Sequence, residues 1–214
     1  MELQSQSRPM SPFISIWVKP RTTIREIVDT DPTKYVLLLA ALSGVSQALD
    51  NASSQNAGDS LPLIVIFITC FLLGPIGGII SLYIGGAIFR WSGSWFGGRA
   101  TSEEVRAAIA WSSVPAIIIS LPVWVILLLL YGQENFTRAT PRMDANPILA
   151  LFISLPLLFA TIIAGIWSLV LLIKCVGEVH RFSAWKALAA IILGPLVFII
   201  PIFCLIGTLM LLLL

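Results

Sequence analysis

Long runs without Asp, Glu, Lys or Arg are the feature that most constrains this chain. The five runs cover residues 35–49, 60–89, 107–133, 145–173 and 187–214. A helix needs roughly 20 mostly apolar residues to cross a bilayer, and four of the runs exceed that length. The first run is shorter and contains serine and glutamine. With 11% charged residues, against about 25% in an average soluble domain, the chain is predicted to be an all-α polytopic membrane helix bundle.

The positions of the basic residues predict the topology and support the weak first span. Five transmembrane helices are expected, at about residues 34–50, 61–90, 107–131, 147–173 and 187–213. With these spans, eleven of the thirteen Lys and Arg residues lie on the same side of the membrane as the N-terminus. By the positive-inside rule that side is cytoplasmic. We therefore expect a cytoplasmic N-terminus and a C-terminus outside.

The segment before the first span predicts a short N-terminal interfacial helix. Residues 1–12 are expected to be a disordered tail, and residues 33–214 to form the membrane domain. Between them, residues 13–32 carry apolar side chains at helical i, i+3, i+4 spacing, with Trp17 nearby. An amphipathic helix of this kind lies in the plane of the membrane interface. We expect it on the cytoplasmic leaflet.

Three predicted cytoplasmic segments share a pattern that is typical of helix starts. Each has an Arg followed two residues later by Thr or Ser, as in RTTIREIV, RATSEEVRAAI and RFSAWKALAAI. Thr101 with Glu104, and Thr23 with Glu26, have the spacing of a capping box. The Arg before each cap can reach lipid phosphates. The three starts could be a shared structural solution or an old internal repeat. The predicted partner or headgroup face comprises Trp17, Pro20, Arg21, Thr23, Arg99, Thr101, Glu104, Arg181 and Ser183.

The second predicted span combines small residues with a proline, in LLGPIGGIISLYIGGAIF. Small residues four apart, such as Gly74 and Gly78, let helices approach closely. Pro75 lacks an N–H donor and predicts a kink or break, and broken helices line binding sites in transporters. Tight helix packing is the alternative, and a homodimer through the Gly74 and Gly78 face is expected. The candidate region comprises Gly74, Pro75, Gly77, Gly78, Ser81 and Gly85.

Enzymatic groups are hard to assemble from this sequence. Cys175, Glu178 and His180 lie close together, but their spacing matches no standard zinc site. No HExxH, GxSxG or phosphate-binding glycine loop occurs. We therefore expect no enzyme activity, metal, cofactor or nucleic-acid partner. Asp50, at the outer end of the first span, is the nearest candidate for an ion-coupled site; a water-exposed helix end is the simpler interpretation.

Three motifs resemble those of the Yip1 domain family in order and spacing. They are SIWVKPRTTIREIVD, FGGRATSEEVRAAIAWSSVPAII and HRFSAWKALAAIIL, and the likeness covers residues 10–214. The resemblance implies a small five-span membrane protein with a cytoplasmic N-terminus and no established enzymatic activity. Eukaryotic relatives act in Golgi and ER trafficking and bind Rab GTPases through long N-terminal regions. With about 34 residues before the first span, this chain resembles a bacterial-type member.

Two functions follow as hypotheses. Some bacterial relatives accompany ABC-type transporters and protect against toxic peptides. The first hypothesis is therefore a plasma-membrane adaptor or accessory subunit, with a membrane-protein partner such as an ABC-type transporter. The alternative is a transporter or handler of a lipid or hydrophobic peptide that uses the Gly/Pro-broken second span. The bilayer itself and a second copy of the chain are the other expected partners.

Overall fold

Helices make up every regular element that the structure, a computed structural model, describes in residues 11–212. Two short 3₁₀ turns, at Ala57–Asp59 and Gly132–Phe136, connect some of them. The helices are α1 (Pro12–Val18), α2 (Pro20–Thr30), α3 (Val36–Ser54), α4 (Leu63–Trp95), α5 (Ser102–Ser112), α6 (Val114–Tyr131), α7 (Pro141–Ala145), α8 (Pro147–Val179) and α9 (Ala184–Leu212).

Within the described residues, four helices are long and apolar enough to cross a membrane. They are α4, the segment Val114–Phe136 that contains α6, α8, and the part of α9 at Ala184–Pro201. The prediction of an all-α membrane protein is confirmed. Helix α3, the first predicted span, is 19 residues long, or about 28 Å at 1.5 Å per residue. Its composition is less apolar than that of the other four, and its crossing of the membrane stays a prediction.

Helix α3 nevertheless packs along α4 through glycine contacts. A Cβ atom on Gly44 would lie 2.7 Å from the Cα atom of Gly78, and one on Gly78 would collide with the carbonyl oxygen of Ala40. Only glycine permits this approach. The face of Gly74 and Gly78 that was expected to hold a second copy is therefore occupied by α3 of the same chain.

The predicted break at Pro75 does not occur, because α4 continues through it from Leu63 to Trp95. A proline inside a helix removes one backbone hydrogen bond. The flanking turns are held by the contacts of Gly74 and Gly78 with α3. The structural basis of a broken-helix site in this span is therefore absent from α4.

The third predicted span, residues 107–131, is two helices rather than one. Helix α5 ends at Ser112 and α6 begins at Val114, with Pro115 near its start, where a proline costs no hydrogen bond. Helix α5 is enclosed by α2, α3, α4 and α8, and its Ala107 and Ala108 are fully buried. The apolar character that suggested a span thus reflects contact with protein, and the membrane-length segment begins at Val114.

The predicted interfacial segment, residues 13–32, contains two helices whose apolar sides face the protein. Ile16 and Ile24 are fully buried, in one core with Val105 and Trp111 of α5. The i, i+3, i+4 pattern was therefore interpreted correctly as an apolar face, but that face packs on α5 and α8. The expected disordered tail lies outside the described residues except for Ser11 and Pro12, and Pro12 begins α1.

Candidate functional site

The capping box at the start of α5 is confirmed. The backbone N–H of Glu104 donates to the Thr101 hydroxyl at 3.3 Å, and the backbone N–H of Thr101 donates to the Glu104 carboxylate at 2.6 Å. Ser183 directly precedes α9, as predicted. The Thr23 prediction is wrong, since α2 begins at Pro20. Proline fixes a helical φ angle and favours the first position. Thr23 lies one turn inside, and its hydroxyl donates to the Lys19 carbonyl at 2.8 Å.

Some residues of the predicted partner face are exposed in the structure, and others are buried in contacts between helices. Pro20 and Thr23 are buried, and Trp17 and Glu104 are half-buried, so these four side chains help to hold the helices together. The remaining members are exposed and available to a partner or to lipid headgroups: Arg21, Arg99, Thr101, Arg181 and Ser183.

A contact between α2 and α8, which the sequence did not indicate, fixes this region. The guanidinium of Arg25 donates to the Glu178 carbonyl oxygen at 2.6 Å and forms an ion pair with its carboxylate at 3.2 Å. A cation near the last carbonyls of a helix is favourable because those groups lack partners within the helix. We call the part of the molecule formed by α1, α2, α5 and the last turns of α4 and α8 the N-terminal end.

His180 lies inside the N-terminal end. It is 2% exposed, and its ring stacks on Phe182 with centroids 5.0 Å apart. A Cβ atom on Gly93 would lie 2.5 Å from the imidazole, so glycine leaves the space for it. Burial lowers the pKa of His180, against smaller opposing effects of the Phe89 carbonyl and the Glu104 carboxylate. Both ring nitrogens lack a hydrogen-bond partner among the described residues.

The metal-like trio of Cys175, Glu178 and His180 does not form a site in the structure. In the part of the chain that the structure describes, no three His, Cys, Asp or Glu side chains are placed to share a metal ion. Glu178 is engaged with Arg25, and His180 with Phe182. Cys175 is fully buried in the helix core. The three residues therefore serve three separate packing contacts.

The glycine region of α4 borders a groove of about 400 Å³ between α3 and α4. Gly77 and Ser81 line this groove, and a Cβ atom on Gly77 would meet nothing within 4 Å. Gly85 lies beside Ile109 of α5. Gly74 and Gly78 thus contact α3 closely, Gly77 and Ser81 face the groove, and Gly85 packs toward α5.

A larger cavity, of about 780 Å³, lies on the opposite side of α3. Helix α6 packs against both α3 and α8, and the cavity occupies the space between those two helices. We call this space the polar cavity. It is lined by Ser43, Ser46, Gln47, Asp50, Ser53, Asn56, Ala116, Ile117, Ser120, Val123, Trp124, Leu127, Glu134, Asn135, Thr137, Met143, Leu151, Ser154, Leu155, Leu157, Leu158 and Thr161.

One wall of the polar cavity is a polar stripe on α3. Ser43, Ser46, Gln47, Asp50 and Ser53 follow the spacing of residues on one helix face. The hydroxyl of Ser46 shares a hydrogen bond with that of Ser120 on α6. The opposite wall, on α8, is formed mainly by leucines. The stripe explains the low hydropathy of α3, because its polar residues lie on the cavity side.

Asp50 and Trp124 meet at the end of the polar cavity that lies next to the 3₁₀ turn Gly132–Phe136. The indole N–H of Trp124 donates to the Asp50 carboxylate at 2.9 Å, and the indole stacks parallel to Phe136 with centroids 5.6 Å apart. Asn135 holds the turn that carries Phe136, since its amide donates to the carbonyl oxygens of Leu127 and Gly132 at 2.9 and 3.0 Å. These contacts give this part of the cavity a defined shape.

The charges that line the polar cavity are negative. Asp50 and Glu134 are among the lining residues, and no Lys, Arg or His is, as far as the described chain extends. Glu134 accepts hydrogen bonds from the backbone N–H of Arg142 and lies 3.8 Å from its guanidinium. Asp50 has no ion-pair partner in residues 11–212. Its carboxylate is bound to a neutral donor, Trp124.

Sequence analysis singled out Asp50 but not the cavity around it. The available signal was the spacing of the polar residues on α3, which is regular and one-sided. Trp124 and Ser120 belong to a helix 74 positions further along the chain, and nothing local to either segment indicates that they meet.

The fold and the cavity define a helical integral membrane protein with its polar groups gathered between three helices. Comparison with known families then identifies the family. The Yip1 domain matches residues 14–206, and the chain belongs to the Yip1 domain family. Searches of curated proteins and of solved structures returned no match. The family is one of membrane proteins not known as enzymes.

Proposed function

We propose that this protein binds an amphipathic, lipid-like molecule in the polar cavity. The observation that carries the proposal is the pairing of a polar stripe on α3 with a leucine wall on α8 across about 780 Å³. Ligand cavities combine mostly apolar walls with a few placed polar groups, and such sites lie between the helices of bundles. The function is thus close to the handler of a lipid or hydrophobic peptide inferred from the sequence, but at a different place from the Gly74 and Pro75 region.

We propose that α3 is a fifth span. Its back contacts α4 through Gly44, and its front lines the cavity, so its polar residues need not face lipid. Polar side chains in spanning helices face the bundle interior or a water-filled space. Five spans put the N-terminus and the C-terminus on opposite sides. A cytoplasmic N-terminus follows from the positive-inside rule, and the expected bacterial plasma membrane stays a prediction.

The span proposal is tested by labelling introduced cysteines in intact cells. After Cys70, Cys175 and Cys204 are replaced by alanine, Asp29→Cys places an exposed thiol in the last turn of α2, before α3, and Gln55→Cys places one directly after α3. A membrane-impermeant maleimide is expected to label Gln55→Cys directly and Asp29→Cys only after permeabilisation. Labelling of both from the same side would show that α3 does not span.

The cavity proposal is tested by filling the space. Ser120→Phe places a ring in the cavity, and Ile118→Phe places one on the same helix at a side chain that is 46% exposed and does not line it. A photoactivatable fatty alcohol is expected to label α3, α6 and α8 of the wild type and of Ile118→Phe, and to label Ser120→Phe severalfold less. Equal labelling of both variants would overturn the proposal.

A second candidate function, an adaptor or accessory subunit of a membrane complex, is favoured by the surface of the N-terminal end. Arg21, Arg99 and Arg181 are exposed, and none of them forms an ion pair within the described residues. Val18 of α1 is 74% exposed, and Trp185, which follows Arg181 at the start of α9, is 81% exposed. Free cations beside apolar side chains fit a partner protein or lipid headgroups.

The adaptor function is tested by affinity purification in mild detergent. A stoichiometric partner, such as subunits of an export transporter, is expected with the wild type and is lost from a variant in which Arg21, Arg99 and Arg181 are all replaced by alanine. Arg138→Ala, at the opposite end, is the matched control. A wild-type protein that purifies alone would exclude the function.

A further inference from the structure

We infer that the molecule bound in the polar cavity carries a positive charge, and that it is a long-chain amine whose ammonium group pairs with Asp50. The inference rests on the proposed ligand-binding function and specifies the chemical class of the ligand. It starts from the balance of charges around the cavity, where the described lining residues include two carboxylates and no basic side chain.

The two carboxylates are not equivalent. Both oxygens of Glu134 accept from the backbone N–H of Arg142, and the Arg142 guanidinium lies 3.8 Å away, so a positive charge already accompanies Glu134. Asp50 receives one hydrogen bond, from the Trp124 indole to Oδ1. Within the described residues, Oδ2 has no donor. Asp50 is therefore the carboxylate with both a free oxygen and an uncompensated charge.

The position of Asp50 also sets the orientation of the ligand. The stripe from Ser43 to Ser53 covers eleven residues, or about 15 Å along α3, and Asp50 lies near its C-terminal end. Along α8, Leu151, Leu155 and Leu158 follow helical spacing and provide an apolar wall about 10 Å long. An aliphatic chain fits along this wall while its polar end reaches Asp50.

The chemistry of the head group follows from the atoms that it meets. A carboxylate is an acceptor, so the ligand must supply donors, and a charged donor binds it more strongly than a neutral one. An anionic head group would meet the like charge of Asp50 and be repelled by it. A primary ammonium provides three donors and can also reach the hydroxyl of Ser46 or Ser53. The geometry thus favours a primary amine over an alcohol or a sulfate.

The test compares three amphiphiles that share one chain and differ in the head group. Dodecylamine, dodecanol and dodecyl sulfate compete with the photoactivatable fatty alcohol for the full-length protein in neutral detergent micelles at pH 7. Dodecylamine is expected to compete about tenfold more effectively than dodecanol, as one additional charge-assisted hydrogen bond allows. Dodecyl sulfate is expected to be the weakest.

Two variants assign the preference to Asp50. Asp50→Asn keeps an acceptor for Trp124 but removes the charge, and it is expected to abolish the advantage of the amine over the alcohol. Asp59→Asn is the matched control, because Asp59 lies at the same end, pairs with Arg138 and does not line the cavity. The amine preference is expected to remain in that variant.

The outcomes separate this inference from the function on which it rests. If the amine and the alcohol compete equally in the wild type, or if the advantage of the amine survives in Asp50→Asn, the cation inference is wrong and ligand binding stands. If dodecyl sulfate competes best, the inference is also wrong. If the photoactivatable probe fails to label the cavity helices at all, the proposed function fails as well.

Discussion

The two ends of the bundle differ in how they use buried tryptophan. At the N-terminal end, Trp111 is 1% exposed, belongs to the same core as Ile16 and Val105, and lies against the rings of Phe13 and Tyr35. We call the other end the cavity end; it comprises the last turns of α3 and α6, the first turns of α8, the two 3₁₀ turns and α7. There, Trp124 borders an open space and donates to Asp50. One end is packed with side chains, and the other keeps room for polar groups.

This difference indicates a division of roles. Dense packing at the N-terminal end fixes where α2, α5 and α8 lie relative to one another, because close-packed side chains transmit position. The cavity end instead lines an open space with polar side chains, among them the Asp50 carboxylate, and polar groups inside membrane proteins commonly serve function. Substitutions should therefore affect mainly stability at one end and mainly ligand binding at the other.

The largest expected effect comes from truncating the two tryptophans. Trp111→Ala removes a side chain that is 1% exposed and is expected to lower the free energy of unfolding by about 3–5 kcal/mol. Trp124→Ala borders a space that is already open, so we expect roughly 1–2 kcal/mol. Thermal unfolding of both purified variants in mild detergent measures the difference.

For ligand binding we expect the opposite order, with the larger effect in Trp124→Ala and the smaller in Trp111→Ala. Labelling by the photoactivatable fatty alcohol is expected to fall severalfold in Trp124→Ala and to remain close to wild type in folded Trp111→Ala. If Trp124→Ala proves the more destabilising of the two, or if it binds the probe normally, the contrast between the ends does not hold.

How much of this contrast the sequence predicts depends on the range of the contacts. The Thr101 and Glu104 capping box spans three residues and is predictable from them alone. The Thr23 box failed because a competing local signal, Pro20, began the helix earlier. The hydroxyl that satisfies the free N–H of Ala116 at the start of α6 comes from Ser168 of α8, at 3.1 Å, and no local pattern identifies it.

The apolar runs show a second limit of prediction from sequence. Hydrophobicity indicates that a segment avoids water, but it does not distinguish lipid from protein as the surroundings. Residues 107–112 therefore looked like the start of a span, although they belong to the buried helix α5. In α3 the opposite occurs, since its polar stripe resembles a soluble helix although the cavity accounts for it.

The next effect concerns the back of α3, which holds one wall of the cavity end in place. Gly78→Ala adds a Cβ that would collide with the Ala40 carbonyl, and overpacking of this kind costs about 1–3 kcal/mol. Gly77→Ala is the matched control, because a Cβ there meets nothing within 4 Å. We expect lower thermal stability and weaker probe labelling in Gly78→Ala alone. Equal stability of the two variants would contradict the close α3–α4 contact.

A smaller effect is expected from the ion pairs at the two ends. Arg25→Ala removes a partly enclosed pair with Glu178 and is expected to cost about 1–2 kcal/mol. Arg138→Ala removes a pair with Asp59 in which the Arg138 side chain is 82% exposed, and exposed pairs contribute about 0–1 kcal/mol. Denaturant unfolding of the two variants in detergent checks the order. A larger loss of stability in Arg138→Ala than in Arg25→Ala would contradict the conclusion that the N-terminal end is the more tightly held of the two.

The smallest expected effect is a pH dependence that belongs to the N-terminal end. The chain has one histidine, and burial lowers the pKa of His180 in the folded protein below its ordinary value of 6.5. Below about pH 6.5 the unfolded chain binds a proton that the folded chain does not, so stability falls as the pH drops toward the lowered pKa. One proton changes the free energy of unfolding by at most about 1.4 kcal/mol per pH unit.

The contribution of His180 is isolated by measuring the unfolding of the wild type and of His180→Leu between about pH 7.5 and 5.5. This range extends about one unit on either side of the ordinary histidine pKa. The absolute stability of the variant is not the readout, because replacing a stacked ring changes packing as well. The readout is the slope of the free energy of unfolding against pH. We expect this slope in the wild type and not in His180→Leu. Since no histidine lines the polar cavity, probe labelling of the folded protein should show no matching dependence through His180. A slope that persists in His180→Leu would assign the titration to another group and remove this distinction between the ends.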